Sequence, residues 1–323
     1  MRRITCATGQ FAGALIVALG LAACVGVTAP PAPSSLQAHS EAGLRIYAVG
    51  DIADCGNRRP GDSAAALTAG LVPAGAFVLG LGDMAYPYAD AQTLASCYQQ
   101  TWGRHRAATI AVPGNHDYVN GNAQDFLQYF SMPPAHEAGF VAFTRRLTDE
   151  WLLLALDSNV TGSALQAQYE WLERTLEREW DVPQGVEHGE LRRCLLVMWH
   201  APLYSSGLHR GSGERMQPFW QLLDAHGADL VLSGHEHFYE QFGPLDADGN
   251  RPAGDSGLRQ FVVGTGGARL YGFWRPPYLS RARVLDHGVL QLSLEPGRYS
   301  WQFVDVAGRV RDAGAARCRA AGN

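Results

Sequence analysis

Five short blocks of possible metal donors lie in order along this 323-residue chain: Gly50-Asp51, Gly82-Asp83-Met84-Ala85-Tyr86, Gly114-Asn115-His116-Asp117, Val197-Met198-Trp199-His200 and Gly234-His235-Glu236-His237. Each falls at or just after the end of a short apolar run, namely Leu44 to Val49, Phe77 to Leu81, Thr109 to Val112, Cys194 to Trp199 and Leu230 to Leu232. Runs of that length and composition predict buried strands. Amphipathic stretches at Ser63 to Leu71 and Ala91 to Trp102 predict helices between them. Strands alternating with crossover helices define an α/β arrangement, in which ligands collect at the C-terminal strand edge. The placement of all five blocks at such edges therefore predicts one shared site. A glycine ahead of Asp51, Asp83, Asn115 and His235 is expected to let the backbone turn sharply there and to leave room for an ion.

Further strands are expected at Phe140 to Phe143, Trp151 to Leu156 and Phe261 to Val263. A helix should begin where Ser163 and Gln166 stand at capping-box spacing, with Leu165, Tyr169, Leu172, Leu176 and Trp180 along a core-facing stripe. Another carries Met216, Phe219, Trp220 and Leu223 and should end at Gly227. Apolar alternation around Val284 to Leu294 and Tyr299 to Val306, joined through Pro296-Gly297, predicts a closing antiparallel hairpin. No internal repeat is present, and one catalytic domain over residues 43–323 accounts for the length.

The N-terminal stretch reads as an export signal. Arg2 and Arg3 precede an apolar run from Phe11 to Ala23, and Leu21-Ala22-Ala23-Cys24 resembles the bacterial lipoprotein signal. Residues 1–23 are expected to be a signal peptide and Cys24 a lipidated N-terminus. Residues 24–42, rich in Pro, Ala and Ser, would form a tether from the membrane. The expected location is a bacterial membrane-anchored lipoprotein facing the periplasm or the cell exterior. In that compartment disulfides persist, and Cys55, Cys97, Cys194 and Cys318 allow three pairings among which sequence does not choose. Cys55 with Cys97 is the expected pair, since both lie just beyond proposed core elements in the first half of the domain; Cys194 with Cys318 follows. A net charge of −5 offers no basic face for nucleic acid, yet bound cations would dominate the local field and allow an anionic ligand.

Two Asp, one Asn, one Tyr and several His make a mixed oxygen and nitrogen donor set of the kind a pair of metal ions requires. The blocks resemble those of calcineurin-like metallophosphoesterases, specifically the purple acid phosphatase branch, whose pattern is GD-x-G, GD-x-x-Y, GNH-[DE], V-x-x-H and GH-x-H. Four blocks match fully; the first departs, with Ala53 where the branch has glycine. The similarity runs from about Tyr47 to at least Gly267 and includes His237-Phe238-Tyr239-Glu240. Most of the wider family carries a ligand His at the position of Ala53; Tyr86 supplies the replacement here. The resemblance implies a four-layer α/β/β/α sandwich, with two central sheets flanked by helices.

Carried over to this chain, the resemblance implies one metal held by Asp51, Tyr86 and His237 and another by Asn115, His200 and His235, with Asp83 bridging. A phenol titrates near pH 10 in water, so phenolate binding points to Fe(III) at the Tyr86 site. Zn(II), Fe(II) or Mn(II) all suit the second. The implied activity is phosphomonoester hydrolysis by a water that the two cations acidify, with His116 near the leaving group and His209 as a second candidate for that role. Asp117 is expected to orient a neighbour through a hydrogen bond. Either Arg210 or Arg215 could pair with a phosphate, but in a Gly-rich stretch both read as solvated and stay outside the predicted site. Tyr271, Phe273, Trp274 and Tyr278 could line a substrate cleft, though packing under a loop is the commoner explanation, and Gly264 to Gly267 read as a tight wall near the site. A phosphodiesterase using the same residues is the nearest alternative, and a surface lipoprotein holding phosphorylated ligands without turnover is an alternative of another class. A phosphate ester and the membrane are the expected partners, and no protein partner is implied.

Overall fold

Alternate side chains of β1 (Leu44–Val49) enter two different cores, which is why the molecule is layered. The computed structural model describes residues 43–119, 121–180, 193–209, 211–254, 256–277 and 279–319. The expected signal peptide, Cys24 and tether lie outside the described residues, as do Arg210 and Tyr278. Ile46 and Ala48 pack into a central core, whereas Tyr47 and Val49 face an outer one. A strand whose side chains alternate between faces can be apolar throughout only if both faces are covered.

After β1 the chain continues through α1 (Ala64–Gly70), β2 (Phe77–Gly80) and a helical run over residues 91–101. That run comprises α2 (Ala91–Thr93), a π-helical turn at Leu94–Tyr98 and α3 (Gln99–Thr101). Then come β3 (Thr109–Ala111), α4 (Gln124–Phe130), β4 (Phe143–Arg146), β5 (Trp151–Ala155), α5 (Gly162–Thr175), β6 (Cys194–Met198), α6 (Gln217–Ala225) and β7 (Leu230–Ser233). Six strands complete the chain: β8 (Tyr239–Phe242), β9 (Arg259–Val263), β10 (Ser280–Val284), β11 (Gly288–Glu295), β12 (Arg298–Asp305) and β13 (Val310–Arg317). Caps fix two helix starts. Ser63 accepts from the Ala66 amide at 3.3 Å, and Asp90 accepts from the Thr93 amide at 2.7 Å.

Two sheets result. The first has the order β13-β12-β11-β1-β2-β3, the second β10-β8-β9-β7-β6-β5-β4. Strands β1, β2 and β3 are parallel, as are β5, β6, β7 and β9, so their C-terminal ends share one edge in each sheet. The central core between the sheets joins Ile46, Leu79, Leu290 and Phe303 of the first to Trp151, Leu196, Leu232 and Phe261 of the second. Residues near α1, the 91–101 run and α4 cover the outer face of the first sheet, and α5 and α6 cover that of the second. This is the four-layer α/β/β/α sandwich expected from the resemblance.

The Leu165-to-Trp180 stripe and the Met216, Phe219, Trp220 and Leu223 set both enter the outer core of the second sheet. The hairpin of β11 and β12 pairs Leu290 with Phe303 and closes at Glu295 and Arg298. Both disulfides form as expected: Cys55 with Cys97 at a Cα separation of 5.9 Å, and Cys194 with Cys318 at 5.5 Å.

Three local expectations differ from the structure. No capping box forms at Ser163 and Gln166: α5 starts at Gly162 with Thr161 in the N-cap position, Thr161 makes no side-chain cap, and the Gln166 side-chain amide bonds Glu170 at 3.1 Å instead. The strand expected over Phe140 to Phe143 begins at Phe143, because Phe140 stacks on His136 with ring centroids 4.2 Å apart. The Val141 amide is turned toward the Asp157 carboxylate, at 3.3 Å. Strands β8, β10 and β13 were not anticipated; β13, Val-Arg-Asp-Ala-Gly-Ala-Ala-Arg, has too few large apolar residues to show a period of two. No helix among the described residues is long and apolar enough to cross a membrane.

Candidate metal centre

The donor residues sit where the strands stop, and their backbones mark the spot. Asp51, Asp83 and His235 adopt φ of 57°, 52° and 72°, the left-handed region that L residues avoid. Each costs on the order of 1 kcal/mol or more, and such a cost persists where the surroundings over-determine it. At Asp83 the surroundings are Asp117, whose carboxylate accepts the amides of Asp83 and Gly114 at 2.7 Å each and of Met84 at 3.0 Å. At His235 the amide donates to Asp51 Oδ2 at 2.7 Å. The sharp turn thus falls mostly on the donor itself rather than on the preceding glycine, contrary to expectation; only Gly82, at φ 86°, also turns left-handed. The glycines instead provide space. A Cβ on Gly234 would lie 2.6 Å from Asp51 Oδ2, and one on Gly82 would lie 2.5 Å from the His200 ring.

The structure brings the seven predicted donors into one connected group. Tyr86 Oη lies 2.8 Å from Asp51 Oδ1, 2.9 Å from Asp83 Oδ2 and 3.1 Å from His237 Nε2. His237 Nε2 is 3.2 Å from Asp51 Oδ1. On the other side of Asp83, His200 Nε2 is 3.3 Å from Asp83 Oδ2 and 3.2 Å from Asn115 Oδ1. His235 Nδ1 approaches Asn115 Oδ1 at 3.0 Å and His200 Nε2 at 3.2 Å. Asp83 Oδ2 is therefore common to two clusters, one of Asp51, Tyr86 and His237 and one of Asn115, His200 and His235.

Backbone groups aim these side chains. His200 Nδ1 faces the Leu81 carbonyl at 2.8 Å and His237 Nδ1 faces the Arg269 carbonyl at 2.8 Å, so both rings present Nε2 to the centre. The His116 amide holds Asp83 Oδ1 at 2.7 Å and frees Oδ2. Asp51, Asp83 and His200 form a buried floor, whereas Asn115 is exposed and opens the group to solvent.

Charges inside this floor are strongly coupled. Burial and the negative Asp51 and Asp83 push the Tyr86 phenol well above its ordinary value. Burial works against ionisation of Asp83, but the charge and hydrogen bond of His200, with help from His116, hold it well below the usual carboxylate range. Burial likewise opposes the charged His200 ring, and Asp83 and Asp51 overcome it, raising His200 to about 10. His235 falls to about 3 through burial and the neighbouring His200 charge. A proton on His200 thus offsets the buried Asp83 carboxylate, and the Tyr86 hydroxyl donates to the carboxylates; cations can take the place of both protons, since metal binding to such donors releases protons. The donor chemistry fits: carboxylate, phenol and amide oxygens beside imidazole nitrogens, with donor atoms of Asp83, His200 and His235 all within 4.8 Å of one another.

His116 stands at the rim. Its Nδ1 faces the Pro87 carbonyl at 2.6 Å, and its Nε2 is 4.0 Å from Asp83 Oδ2. His209 is exposed, its ring 5.5 Å from that of His235 and 5.3 Å from that of Tyr271. Tyr271 belongs to the centre's wall rather than to loop packing alone: its hydroxyl donates to the His235 carbonyl at 2.9 Å and its ring lies 4.7 Å from His237. Phe273 does pack under its loop, 4.5 Å from Phe238. Gly264 forms a tight wall, since a Cβ there would lie 2.8 Å from Asp51 Oδ2.

A cavity of about 360 Å³ opens beside the second cluster, lined by Asn115, Tyr118, Asn159, Ala201, Gly211, Arg215 and His235. Arg215 is exposed, as a solvated arginine would be, yet it is part of this lining. So is Asn159, which sequence reading passed over. Asn159 and the buried Asp157 follow β5 in Leu156-Asp157-Ser158-Asn159, a strand-end position equivalent to the five blocks. The Asp157 carboxylate accepts from Tyr118 Oη, from the Asn159 amide at 2.9 Å and from Asn159 Nδ2 at 3.1 Å. The available signal was polar residues directly after an apolar run.

Parallel sheet edges converging on a two-cluster oxygen and nitrogen donor set define a metallophosphoesterase. Residues 44–239 match the family model described as calcineurin-like phosphoesterase, more than half of the chain, and the chain belongs to that family. It is 34% identical to purple acid phosphatase 21 of Arabidopsis thaliana over 104 residues, covering 32% of this chain and 21% of that protein. The curated relatives it matches are spanned over only 21% to 42% of their length. Among solved structures, purple acid phosphatase PPD1 from yellow lupin (Lupinus luteus) seeds superposes with a TM-score of 0.61 at 20% identity, over 85% of this chain and 54% of that one. GAP50, titled the anchor in the inner membrane complex of Plasmodium, gives a TM-score of 0.61 at 16% identity, over 86% and 90% of the two chains. Both likenesses concern the fold.

Proposed function

We propose that this chain is an exported metal-dependent phosphomonoesterase with a dinuclear centre. Asp51, Tyr86 and His237 would hold one ion, Asn115, His200 and His235 the other, and Asp83 would bridge them. The observation that carries this reading is the shared Asp83 Oδ2, 2.9 Å from Tyr86 Oη and 3.3 Å from His200 Nε2. Fe(III) suits the Tyr86 cluster, because a phenol pushed upward by burial and carboxylates ionises only beside a strongly acidic cation. Zn(II), Fe(II) or Mn(II) suit the second. When bound, the two ions acidify water and offset negative charge on the phosphoryl oxygens.

The chain's own residues supply the rest. Asn115, exposed at the mouth, leaves an approach to the second cluster. His116 is anchored through Nδ1 to the Pro87 carbonyl, which leaves Nε2 to give a proton to the departing oxygen. His209, its ring 5.5 Å from that of His235, would face the phosphate or the leaving group. The two disulfides support export, since such bonds persist in oxidising compartments. Lipid attachment at Cys24 is part of the same proposal; Cys24→Ser should release the protein from the membrane fraction on cell fractionation.

The fold alone does not decide between turnover and binding, since a solved structure sharing it is titled an anchor. Assays with p-nitrophenyl phosphate and bis-p-nitrophenyl phosphate test the reading. Faster monoester turnover is expected, with His116→Ala lowering it roughly 100-fold or more at unchanged metal content. Faster diester turnover would make the chain a phosphodiesterase, and no turnover by the metal-loaded protein would favour a binding role.

A further inference from the structure

The cavity beside the second cluster is larger than a phosphoryl group needs and differs in character from the metal floor. Its volume of about 360 Å³ lies in the range that accommodates small ligands. Asn115 and His235 line it on the side of the donor group, and Tyr118, Asn159 and Arg215 also line it. None of the lining residues is acidic. Arg215 is exposed at the cavity's edge; among the described residues it pairs with no carboxylate, and its Nε has only the Ser212 carbonyl, at 3.5 Å. The one carboxylate immediately behind this wall, Asp157, is occupied by Tyr118 and Asn159. Asn159 Nδ2 is also tied to the Pro113 carbonyl at 2.8 Å, which fixes the wall to the strand end bearing Asn115.

A guanidinium in a polar cavity without a counter-ion favours an anion, and its planar fork suits a carboxylate or a phosphate. We propose that Arg215 provides a second anion subsite in this cavity, with Tyr118 and Asn159, whose donors are already held by Asp157 and the Pro113 carbonyl, as its fixed neutral wall. It selects phosphomonoesters whose alcohol part carries another negative group, a carboxylate or a second phosphate. This rests on the phosphomonoesterase reading above and adds the substrate class: the ester phosphate lies at the donor group and the distal anion at Arg215. Arg215 is a specificity-determining residue in this scheme and takes no part in bond breaking.

The test compares 3-phosphoglycerate with glycerol 3-phosphate, which differ chiefly in the distal carboxylate, for the full chain and for Arg215→Ala and Arg215→Lys. Charge-assisted hydrogen bonds are worth enough for Arg215→Ala to lower the ratio of kcat/KM for 3-phosphoglycerate over glycerol 3-phosphate by about tenfold. Arg215→Lys should restore part of that ratio. A readout independent of turnover is calorimetric binding of 3-phosphonopropionate against propylphosphonate to the metal-loaded protein. The wild type should prefer the carboxylated compound and Arg215→Ala should not. An unchanged ratio in the variants, or no wild-type preference in either measurement, overturns the subsite. If no phosphomonoester is hydrolysed, the functional reading fails separately, and the calorimetry still decides the role of Arg215.

Discussion

Tyr86 is held where a phenol is least able to ionise unaided, half-buried and bonded to both Asp51 and Asp83. Its value to the proposed centre is therefore coupled to the charge of the ion it faces. Replacing it with phenylalanine keeps the ring and removes the oxygen. Tyr86→Phe should abolish the visible absorption that a ferric phenolate gives, while iron and second-metal content, read by elemental analysis, identify which ion was lost. An unaltered spectrum would remove Tyr86 from the metal. Asp117 acts differently, through three backbone amides that fix the turn holding Asp83. Its place in the Asn-His-Asp run suggested an orienting role, which the Gly114 amide three residues away fits; the amides of Asp83 and Met84 lie 34 and 33 residues away and had no signal in its neighbourhood.

At the scale of elements, the strand ends store strain that the sheet supports. Asp51, Asp83 and His235 each turn into the left-handed region directly after or near the last residues of β1, β2 and β7. The site is consequently sensitive to the glycine that shares such a turn. Gly82→Ala imposes a Cβ at φ 86° and places it 2.5 Å from His200 Nδ1 and 2.7 Å from the Gly114 amide nitrogen. A stability loss of about 2 kcal/mol or more is expected in denaturant titration, with reduced metal retention. The parallel strands were legible because runs covered on both faces are continuously apolar. Strands β8, β10 and β13 were not. Tyr239–Phe242 and Ser280–Val284 alternate too little polarity with too few residues, and the Val310–Arg317 edge strand exposes most of its side chains.

Across the whole molecule, the Cys194–Cys318 disulfide joins the start of β6, inside the second sheet, to the residue just past β13, the edge of the first. It closes a segment of 124 residues, against 42 for Cys55–Cys97. In the chain-entropy account, the longer loop restrains the unfolded chain more, and removing such a native bridge costs about 2–5 kcal/mol. The Cys194→Ser, Cys318→Ser double variant should therefore unfold at lower denaturant than the Cys55→Ser, Cys97→Ser one. The reverse order would place the stabilisation in native packing around Cys55 rather than in chain restraint.

The amino-acid sequence by itself determined which donors this chain offers and that each follows a strand, because residue identity and side-chain period are local properties. It also determined the continuously apolar strands of an α/β arrangement, while the four-layer sandwich was what the motif resemblance implied. Only the tertiary structure decided that Asn159, held by Asp157 at a strand end with no donor motif, and Arg215, from a glycine-rich loop, border the same cavity as Asn115 and His235. That proximity depends on sheet order and on loops closing over long separations. Neither is encoded in any window of neighbouring residues.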